Sequence, residues 1–287
     1  MSTLIWFDGR VREPHEPLIA ALDRGLTVGD GVFDTCAVVA GQPFALRRHV
    51  ARLARSAAAM GLPEPPAETI TAAALELAGR LGGGTGRLRV IWTGGPAAGG
   101  SPRTDAEPTL VLSASREEVA HPSPAGPGTQ VRTAVAVVPW PRNERSPLVG
   151  VKSISYGENV LAVEHARTLG AGEAIFANTR GELCEGSATN VFLDTGDELL
   201  TPPLESGCLA GITRELVLEW GRAAGIPVRE QTIPIGEFTG ARHAALSSSL
   251  RGIVPIDELD GRPLSPGPVT AAMQEVYAAR VAEDLDP

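Results

Sequence analysis

The sequence predicts an α+β chain folded as two lobes. Three observations carry this expectation. Segments of strand periodicity interleave with segments of helical periodicity, and several strand segments are joined by tight Gly-containing turns. One stretch, residues 115–128, is so rich in Pro, Gly and Ser that it reads as an interdomain linker. The expected layout is a smaller N-terminal domain over 1–114, the linker, and a larger domain over 129–287. With 287 residues and 43% apolar content, the chain has material for both cores.

Taken in order, "TLIWFDGRV" is a strand entering a turn at Asp8-Gly9. "VFDTCAVVAGQPFAL" reads as two strands joined by a Gly-containing hairpin. "LRRHVARLARSAAAMG" is a helix, because Val50, Leu53, Ala57 and Met60 recur at helical spacing and Gly61 ends it. "AETITAAALELAGRLG" is a second helix stopped by a glycine cluster, followed by the strands "GRLRVIWTGG" and "PTLVLSAS". Beyond the linker come strand "VRTAVAVVP", helix "SYGENVLAVEHARTLG", strand "EAIFAN" and "GELCEGSATNVFLDT", a turn running into a strand. Helix "GITRELVLEWGRAAG", strand "HAALSSSLRGIVPI" with a Ser-rich turn, and helix "GPVTAAMQEVYAARVAED" close the list. No internal repeat is visible.

Bulk properties exclude several function classes. A net charge of −9, from 25 basic and 34 acidic residues, argues against nucleic acid or an anionic membrane as the main partner. No apolar run reaches the roughly 18 residues of a membrane span, and "MSTLIWFDGRVREPHEP" lacks the basic and apolar regions of a secretory signal. Cys36, Cys184 and Cys208 are scattered without metal-ligand spacing, so a reducing cytoplasm is the expected setting and no metal is expected.

Lys152 is the single lysine of the chain, although arginine is frequent. A surface charge drifts easily between the two residues, so a lone lysine points to a chemical need. It lies in "PLVGVKSISYG", which has no carboxylate to hold its charge, and apolar surroundings favour the neutral amine that imine chemistry needs. Tyr156 follows four residues on and reaches the same site if the segment has begun to turn helically. A solvated surface lysine is the plain alternative. In "GELCEGSATNVF", Glu185 sits among small, turning neighbours that let a flat ring approach, with Asn190 just before an apolar strand. In "SGCLAGITRELVLEW", Gly211-Ile212-Thr213 opens a helix whose first amides suit a phosphate, although Thr213 as a simple N-cap explains the pattern too. "SSSLRG" offers hydroxyls around Ser248 and Ser249.

Together these pieces resemble the pyridoxal-phosphate enzymes of fold type IV, which include branched-chain and D-amino-acid transaminases and aminodeoxychorismate lyase. The resemblance spans nearly the whole chain, through "DRGLTVGDGVFDT", "HVARL", "GVKSISYGENVLA", "GELCEGSATNVF", "TPPLESGCLAGITRELVLE" and "SSSLRGIVPI" in matching order. It implies a small N-terminal α/β domain, a larger domain with a barrel-like sheet core, and pyridoxal 5′-phosphate as cofactor. It further implies that Lys152 forms the Schiff base and moves the proton between Cα and C4′, and that Glu185 bonds the pyridine nitrogen. Arg52 of "HVARL" would pair with the phosphate, helped by Gly211, Ile212, Thr213, Ser248 and Ser249. Tyr156 would bond O3′, Leu209 would pack on the ring, and Asn190 would line the cofactor site.

Carboxylate capture suits arginine, whose fork matches the two oxygens. Arg87 and Arg89 lie two apart in "GRLRV" and so point to one face of a strand. Arg24 and Arg180 fall in turns that the family pattern places around the pocket mouth, beside Phe33, and Arg24 would act from the partner subunit of a homodimer. Ala37 stands where branched-chain enzymes tend to carry a polar or basic group, whereas Asp34-Thr35 fits the form shared by D-amino-acid enzymes and lyases. The expected activity is transfer of an amino group from a D-amino acid to a 2-oxo acid such as 2-oxoglutarate or pyruvate. The lyase that forms 4-aminobenzoate and pyruvate is the alternative, a branched-chain aminotransferase the next, and a homologue that has lost catalysis stays open. Whether Trp140, Arg142 and Arg145 of "PWPRNERS" form a pocket wall or a surface loop is also open.

Overall fold

The computed structural model describes residues 3–97, 102–103, 105–117 and 133–287, so residues 118–128 of the expected linker lie outside the described residues. The chain divides into two compact units. The first takes residues 1–119 together with 151–156 and 284–287, and the second takes 120–150 and 157–283. Lys152 therefore belongs to the first unit, although both of its flanking segments belong to the second.

The first unit runs β1 (Thr3–Phe7), β2 (Arg10–Arg12), α1 (Arg24–Val28), β3 (Gly31–Val39), β4 (Gln42–Pro43), α2 (Leu46–Ala59), α3 (Ala67–Leu81), β5 (Thr85–Thr93) and β6 (Thr109–Arg116). Its six strands form one antiparallel sheet in the order β2-β1-β6-β5-β3-β4. Asp8 and Gly9 take φ of 51° and 77°, as a two-residue type I′ turn demands, so the Asp-Gly pair fixes the first hairpin. The sheet separates its residues by parity. Val32, Cys36 and Val38 of β3, Leu88, Val90 and Trp92 of β5, and Leu112 and Ala114 of β6 share one core with Leu53 and Ala57 of α2 and Ile70, Ala74 and Leu77 of α3. Odd-numbered residues of β3 and β5, among them Phe33 and Arg89, occupy the other face.

The second unit runs β7 (Ala134–Val137), α4 (Gly157–Thr168), β8 (Glu173–Ala177), β9 (Leu183–Gly186), β10 (Asn190–Asp194), β11 (Leu199–Thr201), α5 (Ile212–Ala224), β12 (Val228–Glu230), α6 (Ile235–Thr239), β13 (His243–Ser248), β14 (Gly252–Pro255), β15 (Glu258–Leu259), β16 (Arg262–Pro263) and α7 (Pro268–Glu283). Two five-stranded sheets, β12-β11-β10-β13-β14 and β16-β15-β7-β8-β9, build it. Val135, Ile175 and Leu183 from one sheet and Val191, Leu193 and Leu246 from the other fill a single apolar core, the barrel-like centre expected of the larger domain. Glu185 lies on β9 rather than in the turn read from the sequence. Among the described residues no helix is long and apolar enough to cross a membrane.

Candidate active site

In the first unit the site grows from β3. Residues 152–154 run antiparallel along it: Phe33 N–H donates to Lys152 C=O at 2.9 Å, and Ile154 N–H to Gly31 C=O at 3.0 Å. Val32 bridges Ser153, which sets Lys152 opposite Phe33. Gly31 is required here, since a Cβ on it would lie 2.8 Å from the Ile154 side chain and from Trp92 C=O. Lys152 Nζ stands 4.7 Å from the centre of the Phe33 ring, and Arg89 Cζ lies 3.9 Å from the same centre. The Tyr156 ring meets Phe33 edge-on at 5.4 Å. Tyr156 does so from just before α4, which starts at Gly157, and not from within a helical turn. Burial, with the neighbouring Arg87, lowers the proton affinity of Arg89 from its ordinary value. Lys152 and Arg89 thus both pack against the Phe33 ring.

On the opposite face Arg52 grips Asp34, with Nε 2.8 Å from Oδ2 and Nη2 2.7 Å from Oδ1. His49 Nδ1 lies 2.7 Å from Asp34 Oδ1, so that nitrogen carries the hydrogen, and Nε2 is buried with no hydrogen-bond partner. Burial opposes ionisation of Asp34, but the charges and hydrogen bonds of Arg52 and His49 outweigh it and hold the carboxyl far below its usual range. His49 is pushed down by burial, against the pull of Asp34. Its three-residue offset from Arg52 on one helix was the signal available for it in "HVARL".

The other arginines are engaged elsewhere. Arg24, expected in a turn, opens α1 and is buried, its Nε 2.8 Å from Asp30. Arg87 pairs with Glu117 at 2.9 Å. In the second unit Arg180 pairs with Glu144 at 3.1 Å and Glu182 at 2.8 Å. Arg89 is the one of the four set against an aromatic ring beside Lys152.

In the second unit Glu185 Oε2 accepts the Leu209 N–H at 2.9 Å, and Asn190 Nδ2 donates to Leu209 C=O at 2.8 Å. Residue 209 is thereby pinned from both sides, just ahead of α5. Gly211 is the N-cap of that helix, with no side-chain cap; Thr213 sits one residue inside rather than capping it. A Cβ on Gly211 would fall 1.9 Å from Asn190 Oδ1. Ile212 and Thr213 are buried in the first turn. Ser248 ends β13 and Ser249 starts the turn after it. The buried hydroxyl without a partner there is that of Ser247, which pairs with Asn190 across the strands. Arg145 is exposed, Trp140 tilts against His165 at 5.2 Å, and Arg142 turns inward to Glu185.

A profile of the class IV amino-transferases matches residues 31–259, well over half of the chain. The chain belongs to this family. It is 29% identical to a bifunctional aminodeoxychorismate lyase / D-amino acid transaminase of Mycobacterium tuberculosis, over 98% of this chain and 99% of the relative. Among solved structures, a branched-chain aminotransferase from Thermoproteus uzoniensis with norvaline superposes with a TM-score of 0.87 at 31% identity, covering 98% of this chain and 95% of that one. A hypothetical aminotransferase from M. tuberculosis in its PLP-bound form gives 0.84 at 26%, covering 97% and 98%. The fold is that of the fold-type IV transaminases, and the cofactor is pyridoxal 5′-phosphate.

The residues present fit that group. An uncapped helix start at Gly211–Thr213 offers amides and a dipole to an anion, and the absent Cβ of Gly211 leaves room for close approach. The unpartnered Ser247 hydroxyl supplies a donor beside Asn190, and Glu185 is a carboxylate held in place, as a protonated ring nitrogen requires.

Proposed function

We propose that this class IV aminotransferase moves an amino group from a D-amino acid to a 2-oxo acid such as 2-oxoglutarate or pyruvate. The observation that carries the reading is the stack of Arg89 and Lys152 on Phe33. An amino acid whose carboxylate is held by the Arg89 fork presents its Cα toward the Lys152 amine.

Pyridoxal phosphate supplies the electron sink for the negative charge that develops at Cα. Lys152 would hold the cofactor through its Nζ and would serve as the base that moves the substrate's Cα proton. Glu185 would keep the pyridine nitrogen protonated, Tyr156 would bond O3′, and Leu209 would pack on the ring. Arg52, the first turn of α5 at Ile212 and Thr213, and the hydroxyls at Ser248 and Ser249 would hold the phosphate, with Asn190 fixing the approach to Gly211. A fixed Asp34 keeps the Arg52 fork from rotating. The enzyme works as a homodimer in the cytoplasm, which accords with three buried, unpaired thiols. Leu22 and Leu26, 55% and 70% exposed, are large apolar side chains that a second copy would cover. The proposed domains span 1–114 and 129–287, with residues 151–156 and 284–287 packing on the first.

Aminodeoxychorismate lyase is the second reading, favoured by the M. tuberculosis relative, whose name carries both activities. D-alanine or D-glutamate offered with a 2-oxo acid acceptor, beside aminodeoxychorismate offered with none, separates them. Acceptor-dependent conversion of D- but not L-amino acids is expected. Pyruvate and 4-aminobenzoate formed without an acceptor would replace the transaminase reading with the lyase.

A further inference from the structure

Arg142 lies far in sequence from the residues it touches. Its backbone N–H donates to Ala177 C=O at 2.8 Å, which fixes it beside the end of β8. The guanidinium then lies over the Phe176 ring, Cζ 4.1 Å from the ring centre. Phe176 and Glu185 face one another across the β8–β9 ladder. The arginine therefore covers a cross-strand pair, and its Nε stands 3.5 Å from Glu185 Oε1, an ion pair without hydrogen-bond geometry. Its far end is tied to the start of α4, with Nη1 on the Glu158 carboxylate and 3.2 Å from Asn159 Oδ1. Asn159 in turn donates to Ser187 C=O, two residues beyond Glu185. The side chain is 15% exposed, as is that of Glu185.

Such a guanidinium does two things to a neighbouring carboxylate. Its charge favours the ionised form in a partly desolvated site, and its rigid plane, stacked and tied at the far end, limits how Glu185 can turn. Leu209 N–H holds one carboxylate oxygen and Arg142 stands by the other. We infer that Arg142 is a positioning residue that keeps Glu185 ionised and aimed, and so sets how fully Glu185 protonates the cofactor's ring nitrogen. This rests on the reading that Glu185 serves that nitrogen.

The test loads the protein with pyridoxal 5′-phosphate labelled with ¹⁵N in the ring and follows the nitrogen resonance. Wild type is expected to show the protonated position. Arg142→Met and Arg142→Gln should move the resonance toward neutral pyridine, with kcat down about tenfold and KM for the amino acid within about twofold, as for a coupled ion-pair network. Arg142→Lys, which keeps the charge, should recover most of the shift. The Gln variant retains a polar head and is read where the Met variant does not fold. A resonance unmoved in Met and Gln variants but displaced in Glu185→Gln overturns the role of Arg142 and leaves that of Glu185 intact. A resonance unmoved in Glu185→Gln removes the Glu185 reading and the inference with it.

Discussion

Arg52 and Asp34 form a two-point ion pair inside the first unit, at 2.8 and 2.7 Å, with both side chains at most 5% exposed. Removing one member strands the other charge. Asp34→Ala is expected to cost about 3–5 kcal/mol of stability, the range for an orphaned partner of a buried pair, and urea unfolding measures it. Arg52→Ala should cost less if His49 continues to satisfy Asp34.

Acid should dismantle the same cluster in two stages. Asp34 and His49 both have proton affinities in the folded state below those of the unfolded chain. A depressed value contributes stability above the unfolded pKa that is lost on acidification. Stability should therefore fall as pH drops below about 6.5, where unfolded histidine gains its proton, and fall more steeply below about 4, where unfolded aspartate does. Thermal unfolding between pH 8 and 3 follows this, and His49→Gln should remove the upper stage alone.

Arg89→Gln removes the guanidinium from Phe33 while keeping a polar head. KM for the amino donor should rise at least about tenfold, the loss expected for a charge-assisted pair. Steady-state rates at varied donor concentration give the number. An unchanged KM would mean that the substrate carboxylate binds elsewhere.

Gly211→Ala places a methyl group where Asn190 Oδ1 now lies. Asn190 must then leave Leu209 C=O, at a cost of about 1–3 kcal/mol for overpacking. Titration of the cofactor-free protein with pyridoxal 5′-phosphate, followed by absorbance, should show weaker binding than wild type.

Lys152→Ala should have no measurable turnover. Borohydride reduction of the wild-type protein should leave the cofactor on the peptide that contains residue 152, and mass spectrometry of a digest reads this directly. Label on any other peptide would reassign the amine.

Much of the fold was legible because its signals are local. Asp8-Gly9 chose its own turn, Gly61 ended a helix, and Gly211-Ile212 opened one. Glu185 was misplaced in a turn because "GELCEGSATN" is dense in small residues, and only pairing with β8 makes "LCEG" a strand. Lys152 stood out by being unique in composition. Its neighbours did not, since Phe33 and Arg89 reach it by long-range register. Arg142 and His49 were missed or left open for the same reason: what distinguishes them is a partner distant in sequence or across a helix-to-sheet contact.

The stretch 151–156 that joins β3, and the last residues, where Ala45 N–H donates to Leu285 C=O and Arg47 pairs with Asp286, have a temporal consequence. On a ribosome the N-terminal sheet emerges early, yet the segment bearing Lys152 arrives later and residues 284–287 later still. Domains generally fold as they emerge, but this one stays unfinished until residues 284–287 have followed, long after its sheet has been made.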